Sequence, residues 1–124
     1  GEIPQRVHNN TFGANPLCCA AAVAAIDFML ENDLPQRAAE MGARMMDGFK
    51  AIESPLIREV RGLGLMVAIE LKQPSASYLA QLAEKGVLAL NAGSTVMRFL
   101  PPLVIGADDV DTVVEKVAEV LPSL

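Results

Sequence analysis

The chain has no tryptophan, one tyrosine, one histidine and two cysteines, and the cysteines, Cys18 and Cys19, are neighbours. Adjacent cysteines cannot make the ordinary bridge between distant strands or helices, so no disulfide framework is expected. Both read as small buried side chains in a reducing, cytoplasmic compartment. His8 has no second ligand type near it at metal spacing, which argues against a metal centre. Basic runs are also missing: 10 Lys and Arg stand against 15 Asp and Glu, for a net charge of −5. Nucleic-acid binding, carried mainly by clustered Lys and Arg, is thereby excluded. The longest apolar stretch starts near Leu17 and breaks at Asp27 and Glu31, short of the ~20 residues that cross a bilayer core, so no membrane span is expected. With 9 Gly and 8 Pro among 124 residues, and 52% of the chain from the set AVILMFWYC, the sequence is neither collagenous nor disordered. One compact domain is the expectation. Gly1-Glu2-Ile3-Pro4 has no initiator Met and no secretion-signal layout, so the chain reads as an excised piece of a longer protein.

What is present is a regular alternation of helix and strand patterns. After a polar lead-in, Asn15 and Pro16 make a helix start, the first as cap and the second in a position where its missing N–H costs nothing. The following run to Leu30 is apolar nearly all round, which asks for burial on several sides, more than a free domain of this length can easily offer, so an exposed apolar patch is expected there. Asn32-Asp33-Leu34-Pro35 closes that helix and opens another, with Asp33 as N-cap. In the second helix Leu34, Ala38, Met41, Met45, Phe49 and Ile52 recur at spacings of four and three and form a core stripe, while Arg37, Glu40, Arg44, Asp47 and Lys50 face solvent. Strands are expected over 57–60 and 65–71 around a turn at Arg61-Gly62-Leu63-Gly64, with Arg58 and Arg61 pairing around that turn. A short helix over 75–85 carries Tyr78, Leu79, Leu82 and Ala83 inward and ends at Gly86. Two more strands, 87–90 and 95–100, flank Asn91-Ala92-Gly93-Ser94, and Pro101-Pro102 stops the second. The last helix opens with Asp108, Asp109 and Asp111 in its first turn. Its core face is Val110, Val113, Val114, Val117, Val120 and Leu121. The fold class is therefore α+β, a small, mostly antiparallel sheet covered by helices. Gly62 and Gly64 lack the further glycines and following helix of a dinucleotide loop.

Three segments carry more. They are His8-Asn9-Asn10-Thr11-Phe12-Gly13-Ala14-Asn15-Pro16-Leu17, Ile57-Arg58-Glu59-Val60-Arg61-Gly62-Leu63-Gly64-Leu65-Met66 and Val96-Met97-Arg98-Phe99-Leu100-Pro101-Pro102-Leu103. In order and interval they resemble the C-terminal part of class III pyridoxal-phosphate aminotransferases, above all the acetylornithine aminotransferases and their relatives in lysine biosynthesis. The resemblance runs from about His8 to Leu121. It implies the small C-terminal domain of a fold-type I pyridoxal-phosphate enzyme over 32–124, an interdomain helix over 16–31, and a lead-in over 1–15 carrying a cofactor-phosphate loop. In that family the threonine matched by Thr11 reaches across a homodimer interface to the cofactor phosphate, and Asn10 beside it is a second phosphate donor. Asn9, Asn10 and Ala14 depart from the family, which more often has glycine, serine or threonine, and glycine there.

Arg98 matches the family arginine that holds the α-carboxylate of the substrate, a task suited to a guanidinium because it binds carboxylate bidentately. No residue of this chain is expected to be catalytic. Lys50, Lys72, Lys85 and Lys116 are its only lysines, and none has the context of the family's Schiff-base lysine, which lies upstream of the segment matched by His8. The resemblance implies transfer of the terminal amine of N-acetylornithine, or of a carrier-linked lysine, to 2-oxoglutarate through pyridoxal phosphate, with this piece inactive by itself. The alternative of another class is a stand-alone α+β binding or dimerisation module.

Overall fold

The computed structural model describes residue 11 and residues 13–121. They fall into two compact units, divided between Asp33 and Leu34. The first contains α1 (Pro16–Glu31), which starts as its sequence requires. Asn15 Oδ1 accepts hydrogen bonds from the amides of Leu17 at 3.0 Å and Cys18 at 3.4 Å, and Pro16 takes the first turn. At the other end the Asn32 side chain donates to the Phe28 carbonyl at 2.9 Å. Asp33 does not cap the next helix. It adopts φ 45° and its amide donates to the Leu30 carbonyl, so it belongs to the closing turn of α1. Every described residue of the helix is exposed, which leaves the expected apolar patch open and overturns the burial expected of Cys18 and Cys19.

The second unit contains α2 (Leu34–Lys50), β1 (Ile57–Leu63), β2 (Met66–Leu71), α3 (Ala76–Glu84), β3 (Leu90–Asn91), β4 (Val96–Phe99) and α4 (Ala107–Val120). The strands form one antiparallel sheet in the order β1-β2-β4-β3. Alternation decides its faces. Val67, Ile69 and Leu71 of β2 and Met97 and Phe99 of β4 turn inward and are buried against Met45 and Phe49 of α2 and Val110 and Val117 of α4. The Phe49 and Phe99 rings meet at 4.9 Å in a tilted arrangement. Arg44 of α2 straps the helix pair from outside through two bonds to Asp111 of α4, at 2.7 and 2.6 Å. Asp111 is thus a second-turn partner of α2, while only Asp108 and Asp109 occupy the first turn of α4.

Several element ends differ from the periodic reading. Strand β1 runs on through Arg61, Gly62 and Leu63, and the turn shrinks to Gly64 and Leu65. Gly62 is therefore a strand residue: a Cβ there would lie 2.6 Å from the Met66 carbonyl oxygen. Gly64, at φ 53°, is the turn glycine. The strand expected over 87–90 is reduced to Leu90–Asn91 because the residues before it complete the end of α3. Gly86 takes φ 85°, and the Val87 amide reaches back to the Leu82 carbonyl at 2.9 Å. Within α3, Leu82 is buried and Tyr78 and Leu79 half-buried, but Ala83 is exposed. Arg37 is not a solvated side chain either. It is half-buried and donates to the carbonyls of Val104 and Ile105, pinning the loop between β4 and α4.

Candidate functional site

The sheet face turned away from α2 and α4 carries the site. Cross-strand register places Arg61 of β1, Ala68 of β2, Arg98 of β4 and Leu90 of β3 in one row. The neighbouring row is Glu59, Glu70 and Val96. Ala68 is small, so the row is low in the middle and flanked by two arginines. A cleft of about 470 Å³ opens there, lined by residues that include Arg61, Ala68, Ala92, Val96 and Arg98. Leu63 and Met66 form an apolar rim, 88% and 59% exposed.

The charges on this face are unequally partnered. Arg61 Nη1 donates to Glu59 and to Glu70, both at 2.7 Å, and Arg58 Nη1 donates to the other Glu70 oxygen at 3.1 Å. The Arg61 hydrogen bond, reinforced by the two nearby cations, holds the Glu70 carboxyl below the usual carboxylate range. The same bonds from Glu70 and Glu59 hold Arg61 above its ordinary value. Arg98 differs: its Nε is buried and has no hydrogen-bond partner among the described residues. A buried guanidinium nitrogen without an acceptor is costly. Among acceptors, a carboxylate is the one whose two oxygens match the planar fork of an arginine.

Two residues that the periodic reading did not single out support this geometry. Ser75 is fully buried at the start of α3. Its one hydroxyl proton is shared between Asn91 Oδ1 at 3.2 Å and the Ser94 carbonyl at 3.3 Å, and its amide donates to the same carbonyl at 2.9 Å. It ties down the Asn91-Ala92-Gly93-Ser94 turn, whose Ala92 lines the cleft. A serine four residues after a strand and just ahead of a helix looks like an ordinary helix cap, so its sequence position gave no sign of this role. Glu70 alternates with the buried Ile69 and Leu71 along β2, so its outward side follows from the strand, but the Arg61 contact depends on β1 continuing past Val60.

The other expected binding residues lie in the first unit. Asn10 falls outside the described residues. Thr11 is exposed in a turn ahead of α1. The leading α1 amides are not free for a phosphate, because Asn15 takes those of Leu17 and Cys18. The Thr11 hydroxyl remains as a donor. Ala14 stands at φ 58°, a left-handed conformation that costs a residue with a side chain roughly 1–2 kcal/mol and glycine almost nothing. Among the described residues no group of three or more His, Cys, Asp or Glu is placed to hold a metal ion, and no helix is long and apolar enough to cross a membrane.

Comparison with known proteins places these features in a family. The family description "Aminotransferase class-III" matches residues 1–121. The [LysW]-aminoadipate semialdehyde transaminase of Deinococcus radiodurans is 50% identical over 120 residues, which is 96% of this chain and 28% of that protein. An ornithine aminotransferase of Halalkalibacterium halodurans is 43% identical over 114 residues, 92% of this chain and 29% of that protein. Among solved structures, the acetylornithine aminotransferase from Elizabethkingia anophelis superposes with a TM-score of 0.86 at 32% identity, over 96% of this chain and 31% of the other. The ornithine aminotransferase from Toxoplasma gondii, with partial occupancy of PLP at its active site, gives 0.84 at 32%, over 94% and 29%. The chain thus spans less than a third of the length of the relatives it matches.

Proposed function

The chain belongs to the class III aminotransferases, pyridoxal-phosphate enzymes, and from that membership we propose that it is the small C-terminal domain of one that works on terminal amines. The reaction moves the terminal amino group of N-acetylornithine, or of a related ornithine or lysine derivative, to 2-oxoglutarate, in arginine or lysine biosynthesis. The names of the similar proteins support this substrate class. The single observation that carries the site is the buried, partnerless Nε of Arg98 beside an open cleft of about 470 Å³.

In this reading Arg98 anchors the substrate carboxylate by paired charge-assisted hydrogen bonds and so fixes which end of the substrate faces the reacting centre. Ala68 leaves the room, and Ser75 holds the turn that closes one side. The exposed hydroxyl of Thr11 fits a phosphate and, with Asn10, would hold that of the cofactor across a homodimer interface. When bound, pyridoxal phosphate supplies the electron sink on which amino-group exchange depends. The lysine that captures it is supplied by another part of the protein.

The test is an assay of the full-length enzyme with N-acetylornithine, ornithine and a carrier-linked lysine as donors and 2-oxoglutarate as acceptor, following glutamate. Glutamate formation with one of these donors is expected, and none from the 124-residue chain alone. Activity of the isolated chain, or a full-length enzyme indifferent to all terminal amines, overturns the reading.

A further inference from the structure

Arg61 and Arg98 stand in one cross-strand row on either side of Ala68, and both line the same cleft, yet only Arg61 is paired with carboxylates. Arg61 is held by Glu70 and Glu59, and Glu70 holds Arg58 with its second oxygen. The Glu70 side chain is only 20% exposed and its two arginine contacts use both of its oxygens, whereas Glu59, at 55%, is a solvated partner that contributes less. Left unpaired, Arg61 would form with Arg98 a two-guanidinium site above the small Ala68, able to grip any oxyanion and to draw a carboxylate off the Arg98 fork.

We propose that Glu70 is a specificity-determining residue: by sequestering Arg61 and Arg58 it leaves Arg98 as the one guanidinium of the cleft that accepts a carboxylate, so that the cleft takes a single carboxylate in one position. The inference rests on the assignment of Arg98 as carboxylate anchor, and it extends that assignment to Arg61 and Glu70, whose outward-facing charges otherwise look like an ordinary surface network.

The experiment titrates the ¹⁵N-labelled 124-residue chain with sodium acetate and follows the arginine Nε–Hε signals by NMR. In the unmodified chain the Arg98 signal is expected to move and that of Arg61 to stay in place; in Glu70→Gln both move. Movement of Arg61 together with Arg98 in the unmodified chain, or a static Arg61 in Glu70→Gln, overturns the role of Glu70 while leaving the Arg98 assignment standing. A static Arg98 in the unmodified chain overturns that assignment and this inference with it. Should Glu70→Gln fail to fold, Arg61→Ala decides: acetate affinity read at Arg98 should change by less than about twofold, because a sequestered surface charge contributes little. A larger loss means that Arg61 itself holds the anion, and the inference fails.

Discussion

Gly42 of α2 lies directly against Gly64 of the β1–β2 turn: a Cβ on Gly42 would overlap the Gly64 carbonyl group, and even the Gly64 Cα would be 3.0 Å away. The helix therefore approaches the turn backbone to backbone, and the turn in turn needs the positive φ of Gly64. Replacing Gly42 with alanine would favour the isolated helix, since alanine is the better helix former by roughly 1 kcal/mol.

The packing cost is larger and sets the sign. Overpacking of this kind costs about 1–3 kcal/mol, and here the obstacle is backbone, which cannot rotate away. Gly42→Ala should lower the urea midpoint of the chain while leaving the slope unchanged. An unchanged or raised midpoint would show that α2 and the turn separate without penalty.

Arg98 and Thr11 should fail differently in the full-length enzyme. Arg98→Ala removes a charge-assisted carboxylate contact, about 1.5–3 kcal/mol, so kcat/KM for 2-oxoglutarate falls roughly tenfold to a hundredfold with cofactor affinity nearly unchanged. Thr11→Ala should weaken retention of pyridoxal phosphate and leave substrate preference alone. Titration of the apoenzyme with cofactor, followed by kinetics on saturated protein, separates the two. The reverse pattern would refute the assignments.

Glu119 of α4 takes hydrogen bonds from Lys116 and Lys85, each at 2.6 Å, and these bring its carboxyl down to about 2. A free glutamate in the unfolded chain titrates near about 4.3. The folded value is the lower one, so the stabilisation is present above the unfolded value and disappears as pH falls through the folded one. The stability gap between the unmodified chain and Glu119→Gln should close between about pH 5 and pH 2. The three groups are partly exposed, so the gap is modest and shrinks in salt. Denaturation curves across that range, at low and high ionic strength, measure it, and a gap that widens on acidification would contradict the sign.

The exposed apolar surface of α1 should make the chain self-associate. Leu17, Val23, Ile26 and Leu30 are 80, 57, 54 and 70% exposed, on a helix with no polar face. Patches beyond a few hundred Å² tend to be covered by association. Sedimentation velocity should show mass rising with concentration for residues 1–124 and much less so for residues 34–124. A monomer at every concentration would count against it.

Much of the fold was legible in the residues. The stripe from Leu34 to Ile52, the valines of the last helix and the alternation of β2 each report a single face, and a single face is what local periodicity encodes. Arg98 was found through a resemblance, not through its spacing. What sets it apart from Arg61 on the same sheet face is that it meets no carboxylate, which depends on what the neighbouring strands place around it. The burial expected for Cys18 and Cys19 failed for a related reason: periodicity says that a surface is apolar, not that a partner is at hand.

The sequence by itself therefore determined the element types, the inward faces and the two helix starts that Asn15-Pro16 and Asp108-Asp109 encode, because each rests on neighbours within a turn or two of chain. Tertiary structure decided the rest. It extended β1 through Gly62, because only the packed partner strand shows that a side chain would strike Met66. It gave Arg61 and Arg98 opposite circumstances on one face, because register across three strands, not spacing along one, sets which carboxylates a guanidinium meets.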